Sequence, residues 1–541
     1  MRKMLYICLG LLCWTAALSV FSCGSPGVDL DDIPEFKSGE KPSIVDPVPE
    51  SGTLTPRDGF LAMGVVKDAE TGKGIPDVVV SDGWNCVRTD SKGVYYLPAE
   101  SGKSRTIFVV TPGDYEPPMT EGIFSGYRKR GLKATAAQQF DFTLRKRSAD
   151  AGHFKALMIA DIQINKNGQY YDTAKEFFRG VRQMYQNEVL PTYIFSLGDL
   201  VYSQSNRNAV SQSMDDYKQF IASSGLPSFQ VIGNHDHWPQ AKAPFYEATD
   251  GYYQRFGPVN YAVNIGNIHF IVLDDMDWGE YTDTDKAFHG GLNEEAVAFL
   301  QNDLALVSKS TPVMICMHVP MTWFKGDSNW TTLHHKEFMD ALAGRDVHVW
   351  CGHVHQNGNY VYTSGQLAQY GIKSLSSHAV ARSCGGLYMA GRILSTDGIP
   401  WNVVEVEFNG NAVQYHQKTF PYTCPNTTYK AEFPDDVWAI GPDLTGDGYV
   451  WCNPYMIDNT WPLPEWWENG TKVSDMEDMR MQVLMHDPYY LWLCLNVHHL
   501  TPDDEHKSDH LFRVKPSEGV KEGEVHLTDR FGNTYIRKVS W

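Results

Sequence analysis

From His153 onward, short apolar runs alternate with stretches whose apolar positions recur at helical spacing. The runs are KALMIAD (155–161), YIFSLGD (193–199), SFQVIGN (228–234), HFIVLDD (269–275), PVMICMH (312–318) and VHVWCGH (347–353). Helices are predicted over 172–189, 211–224, 293–307 and 334–343. Continuous apolar strands separated by helices describe a sheet buried on both faces. The pattern before this block differs. From 59 to 144, short alternating runs such as FLAMGVV, DVVVSDG, GVYYLPA and TIFVVTP are broken by turn residues, which predicts a small β-sandwich. After about Tyr422 helical periodicity is weak, and seven of the 15 Trp fall between Trp438 and Trp541, so a third, β-rich block is expected.

The first residues read as an address. Arg2 and Lys3 precede an apolar run from Leu5 to Phe21, which ends at Ser22-Cys23-Gly24. That order describes a secretory signal, and VFSC is similar to the lipobox of a bacterial lipoprotein; simple cleavage is the other reading. Residues 24–56 are rich in Pro, Asp, Glu, Ser and Gly and form an expected tether. The chain thus divides into a lipoprotein signal (1–22), a flexible tether (23–56), an N-terminal β-sandwich (57–147), an α/β block (150–417) and a C-terminal β-rich domain (420–541). An exported chain, lipid-anchored through Cys23 at the outer membrane or cell surface, or periplasmic if simply cleaved, is the expectation. No protein partner is inferred.

Composition narrows the chemistry. With 46 Lys plus Arg against 65 Asp plus Glu, the net charge is −19, which argues against binding a nucleic-acid polymer. An anionic substrate would need a local reversal of that field, and bound cations supply one. Ten Cys occur without a CxxC pair, so a thiolate zinc site is not expected. Cys316 and Cys351 sit in apolar runs and read as core; Cys424, Cys452 and Cys494 could pair in an oxidising compartment.

The residues that end the apolar runs carry the chemistry. They are Asp161 with Gln163, Asp199, the Asn234-His235-Asp236 triplet, His318, and the pair His353 and His355. All are carboxylates, amides or imidazoles, and strand ends of an open sheet converge on one crevice. Oxygen and imidazole donors without thiolate suit Zn, Mn or Fe. Asp199, ending a central strand, is the candidate to bridge two cations.

This ordered set (Asp-x-Gln, Gly-Asp, Gly-Asn-His-Asp, His, Gly-His-x-His) resembles the calcineurin-like metallophosphoesterase family over about residues 153–417. The resemblance implies an αββα sandwich, a metal-dependent phosphoric ester hydrolase, and two divalent or trivalent metal ions. It implies a first metal on Asp161, Gln163, Asp199 and His355, and a second on Asp199, Asn234, His318 and His353. Gln163 stands where the commonest family motif has His; its amide oxygen is a poorer donor, so a weakened or retuned first site is expected. GDLVY also matches the Gly-Asp-x-x-Tyr of purple acid phosphatases, which raises Tyr202 as a ligand; with Gln163 present, Tyr202 reads rather as a packing residue. His235 is implied as general acid or positive stabiliser, with Asp236 orienting it and raising its pKa.

TGKGIPDVVVSDG and TDSKGVYYLP resemble the carboxypeptidase-regulatory-like sandwich of secreted enzymes. The segment 381–410 resembles the join to the C-terminal domain in a secreted three-domain branch of the family. The expected substrate is a small phosphate ester of an extracytoplasmic glycan, lipid or nucleotide, diester or monoester. The rival reading is a surface binding or assembly lipoprotein with a vestigial phosphoesterase domain, engaging ligands through its Trp-rich block.

Overall fold

The computed structural model describes residues 52–148, 152–165, 171–202, 207–238, 245–277, 289–321, 333–384, 394–420, 435, 437–480, 485–502 and 507–541. Within it, the strand His153–Ile159 shows why the apolar runs are continuous. Ala156 and Met158 face one core, while Leu157 and Ile159 face a second. Both faces are buried, so polar alternation is absent. The helix Tyr171–Tyr185 closes the second core with Ala174, Phe177, Phe178, Val181 and Tyr185, a stripe at helical spacing. Arg207–Ser223 packs beside it, adding Met214, Tyr217 and Ile221.

Two sheets face each other across the first core. One runs, in spatial order, Ala412–Thr419, Asn402–Asn409, His153–Ile159, Thr192–Leu197, Ser228–Val231, Ile123–Phe124 and Met119–Thr120. Its three central strands are parallel. The other runs Tyr261–Ile265, Ile268–Val272, Val313–Cys316, Asp346–Cys351, Ser374–Ala379 and Gly358–Val361, with four parallel strands inside. Helices Glu294–Leu306 and His335–Ala341 pack against this second sheet through Phe299, Leu300, Phe338 and Met339. The result is an αββα sandwich flanked on each side by β-rich structure.

The N-terminal block forms two four-stranded sheets among the described residues. One piece of it leaves: the hairpin 119–124 joins the edge of the first sheet of the sandwich, where Ile123 pairs with Ser228. The Phe124 ring stacks on Tyr261 at 5.0 Å. Two-residue strands carry no periodic signal, which is why this shared sheet was not expected. Among its described residues the C-terminal block also forms two four-stranded sheets, plus a helical stretch from Pro488–Trp492 into Leu493–His498. Its Trp side chains are spent on packing. Trp451, Trp461 and Trp466 are buried and the other four are half-buried, leaving none as an open stacking platform.

Cys316 and Cys351 are buried in their strands. Cys452 and Cys494 are buried free thiols, so they do not pair with each other; Cys424 lies outside the described residues. The signal, Cys23 and most of the tether also lie outside them. Among the described residues no helix is long and apolar enough to cross a membrane.

Candidate metal centre

The long parallel strands at the centre of the two sheets end at the same edge of the sandwich, and five of them lead into polar residues that meet there. Asp161 follows His153–Ile159, Asp199 follows Thr192–Leu197, and Asn234 follows Ser228–Val231. From the other sheet, His318 follows Val313–Cys316 and His353 follows Asp346–Cys351. The turns are tight enough to force unusual backbone. Asp161, Gln163, Asp199, His353 and His355 all have φ between 47° and 70°. Such left-handed values in non-glycine residues are sparsely populated and cluster where function holds them. Gly198, at φ 89°, lies so close to His318 that a Cβ there would meet the ring Nδ1 at 2.4 Å. A Cβ on Gly233 would meet Asp199 Oδ1 at 2.3 Å. Both positions admit only glycine because the metal-type side chains crowd the backbone.

The strand-end side chains fall into two groups that share Asp199. In the first, donor atoms of Asp161, Asp199 and His355 lie within 4.8 Å of one another. Asp161 Oδ1 is buried, receives no hydrogen bond, and faces His355 Nε2 at 3.3 Å. In the second, Asn234 Oδ1 is 3.0 Å from both His318 Nε2 and His353 Nδ1, and His318 Nε2 is 3.3 Å from Asp199 Oδ1. The His318 Nδ1 donates to the Leu197 carbonyl at 2.7 Å, which makes Nε2 the atom that would face a cation. A buried carboxylate oxygen without a donor, beside converging imidazoles and a shared carboxylate, fits a dinuclear metal centre.

Electrostatics follow from this packing. Burial opposes the charge on Asp199, but the adjacent His318 and His235 more than offset it and hold the carboxyl well below its usual range. Burial lowers the His318 pKa, yet Asp199 wins and raises it to about 10. Burial, with help from His318, pushes His353 down to about 4.

His235 lies at the mouth, with its ring stacked on Tyr202 at 5.0 Å and Nε2 3.8 Å from Asp199 Oδ2. Tyr202 is half-exposed, so it does not pack in the core; its ring is the wall against which His235 rests. The role expected for Asp236 needs correction. Its carboxylate accepts from the backbone N–H groups of Gly233, Leu200 and Val201, at 2.8, 3.1 and 3.0 Å. It therefore ties the loop carrying Asp199 to the loop carrying Asn234, and it does not orient the His235 ring. Burial and the Asp199 charge raise its own pKa to about 7. His237 is buried, held by Gly233 O at 2.8 Å and Asp274 at 3.0 Å, and belongs to the core.

Gln163 also departs from expectation. Its amide oxygen accepts from Arg382 Nη1 at 2.9 Å, while its amide nitrogen donates to Asp199 Oδ2 at 2.8 Å. Sequence reading missed Arg382 and Asp275. Arg382 follows the strand Ser374–Ala379, whose SLSSHA sequence offers no apolar run. Asp275 ends the HFIVLDD run, and its carboxylate accepts from the backbone N–H groups of His318 and Val319 at 3.1 and 2.7 Å.

Three family models match the chain in succession. They are the N terminal of calcineurin-like phosphoesterase over residues 62–147, calcineurin-like phosphoesterase over 154–357, and the C terminal of calcineurin-like phosphoesterase over 377–535. The chain belongs to the calcineurin-like phosphoesterases and is a metal-dependent phosphoric ester hydrolase. Among solved structures, it is similar to purple acid phosphatase PPD1 from yellow lupin (Lupinus luteus) seeds, at 12% identity and TM-score 0.36, covering 64% of this chain and 67% of that one. It is also similar to PhoD, at 10% identity and TM-score 0.36, covering 70% and 83%. A search of curated proteins gave no match.

Proposed function

We propose that this phosphoesterase acts outside the cytoplasm, anchored by lipid at Cys23, on small phosphate esters of glycans, lipids or nucleotides. The observation that carries the chemistry is the pair of donor groups sharing Asp199, one with Asp161 and His355, the other with Asn234, His318 and His353. Two cations bound there, Mn, Zn or Fe, would neutralise the phosphate oxygens and acidify a water. The protein does the rest. Asp161 and Asp199 bring negative charge that burial keeps from water, and His318 is held in register by Leu197. His235, set against Tyr202 and beside Asp199, reaches the mouth where a leaving oxygen would emerge and donates a proton to it. The export signal and VFSC segment support the location, and the acidic net charge supports a small ester over a nucleic-acid polymer. The burial of Trp451, Trp461 and Trp466 speaks against the rival binding reading.

The test uses the chain from Gly24 onward, reconstituted with Mn, on bis-p-nitrophenyl phosphate and p-nitrophenyl phosphate. Turnover should fall by ~10²–10⁴ in His235→Ala with metal content unchanged. The ratio of the two substrates chooses diester or monoester. Turnover unaffected by that substitution would remove His235 from the mechanism.

A further inference from the structure

Gln163 sits among the first group of ligands, yet its hydrogen bonds point the wrong way for a ligand. Its oxygen is taken by Arg382 Nη1 at 2.9 Å. Its nitrogen lies 2.8 Å from Asp199 Oδ2 and 3.4 Å from His355 Nε2. The two ends of an amide are told apart only by their partners, and here both partners decide alike. A guanidinium carries donors only, so the atom facing it must be the acceptor. An ionised carboxylate accepts only, so the atom facing Asp199 must be the donor. Turning the amide over would set N–H against N–H at Arg382.

The guanidinium is itself fixed. Arg382 is buried, and its Nε donates to the Cys384 carbonyl at 2.9 Å. The neighbouring chain is sewn to the ligand strand, with Ser383 N donating to Ala160 O at 3.0 Å and Ala160 N donating to Ser383 Oγ at 3.1 Å. Arg382 therefore has little freedom to release the amide.

We infer that Gln163 is not a metal ligand but a positioning residue: Arg382 keeps its oxygen off the first metal, so that its N–H steadies Asp199. The first metal is then held by three protein side chains, Asp161, Asp199 and His355, leaving more of its sphere to water and phosphate. Arg382 is the gate on that arrangement, since without it the amide is free to turn its oxygen to the cation. This inference rests on the reading that a cation binds between Asp161, Asp199 and His355.

A double-mutant cycle on metal affinity tests it without using activity. Metal-stripped chain from Gly24 onward is titrated with Mn²⁺ by calorimetry and by electron paramagnetic resonance, unaltered and as Gln163→Met, Arg382→Met and the double variant. With Arg382 present, Gln163→Met is expected to weaken the first site by no more than the ~10-fold at the low end for an outer-shell partner. In the Arg382→Met background the same change should cost at least tenfold more, because there the oxygen has become a ligand. An equal, large loss in both backgrounds would show that Gln163 ligates in the native protein and overturn the inference. A negligible loss in both would overturn the gating role of Arg382. Arg382→Lys, which retains a donor for the Cys384 carbonyl, replaces Arg382→Met in the cycle if the latter does not fold. Failure of the unaltered chain to bind Mn²⁺ at all would instead strike the metal-centre reading itself.

Discussion

The backbone N–H of His353 donates to Asp161 Oδ2 at 3.0 Å, across 192 residues of sequence. One carboxylate thus serves two purposes, since Oδ2 clamps the second sheet to the first while Oδ1 faces His355. Substitution separates the two. Asp161→Asn keeps an acceptor for the clamp but removes the charge, whereas Asp161→Ala removes both. Both variants are expected to lose first-site Mn²⁺ affinity by at least ~100-fold, the upper end of outer-shell effects. Only Asp161→Ala should also lose stability in the metal-free protein, by about 1–3 kcal/mol for the stranded N–H. Urea unfolding of the metal-stripped variants reads the difference, and equal losses would mean the clamp contributes nothing.

Asp236 leads to a prediction about folding rather than chemistry. Three backbone N–H groups converge on its carboxylate. An amide in its place sets its own N–H₂ against one of them, so Asp236→Asn should cost about 2 kcal/mol or more. The acidic and basic limbs of the pH–rate profile should stay where they are in the unaltered enzyme. A shifted limb would return Asp236 to the role of tuning His235.

In the metal-free protein His318 holds its proton up to about 10, because Asp199 lies 3.3 Å away. The sign is that of a histidine raised above its ordinary 6.5: the stability it lends is complete below pH 6.5 and is lost as pH rises through about 10. An imidazole ligates only when neutral, so binding at pH 8 expels this proton. Calorimetry in buffers of different ionisation enthalpy should show release of about one proton per chain from this residue. The affinity should climb roughly tenfold per pH unit and level off near pH 10. Affinity independent of pH between 7 and 9 would mean that His318 is already neutral.

The strand ends were readable because parallel, doubly buried strands write themselves as continuous apolar runs. Asp161, Asp199, Asn234, His318 and His353 each follow such a run, and the two sheets bring them to one edge. Ser374–Ala379 shows the limit of that signal. It is equally buried apart from Ser374, but Ser and His take the place of apolar residues along it, with His378 held inside the protein by His348 and Asn359, so the strand and the Arg382 that follows it were invisible. Side-chain direction was invisible for another reason. Asp236 and Gln163 occupy the expected positions, and what their polar atoms face depends on groups far away in sequence, 35 residues for Val201 and 219 for Arg382.

The hairpin 119–124 makes the first two blocks one mechanical unit. Ile123 and Phe124 are both buried, Phe124 lies between Tyr261 and Phe229, and Ser228 N donates to Gly122 O at 2.7 Å. Removing the N-terminal block would open this cavity and bare the edge of Ser228–Val231, an invitation to pair with another chain. Phe124→Ala in the full chain isolates the packing part, with an expected cost of about 3–5 kcal/mol. Because the sheet is shared, the loss should lower the melting transition that bound Mn²⁺ stabilises, and a fragment beginning at residue 150 should aggregate. Calorimetry decides between the shared sheet and an independent module. A Phe124→Ala effect confined to a transition that Mn²⁺ does not move would show that the N-terminal block folds by itself and merely rests on its neighbour.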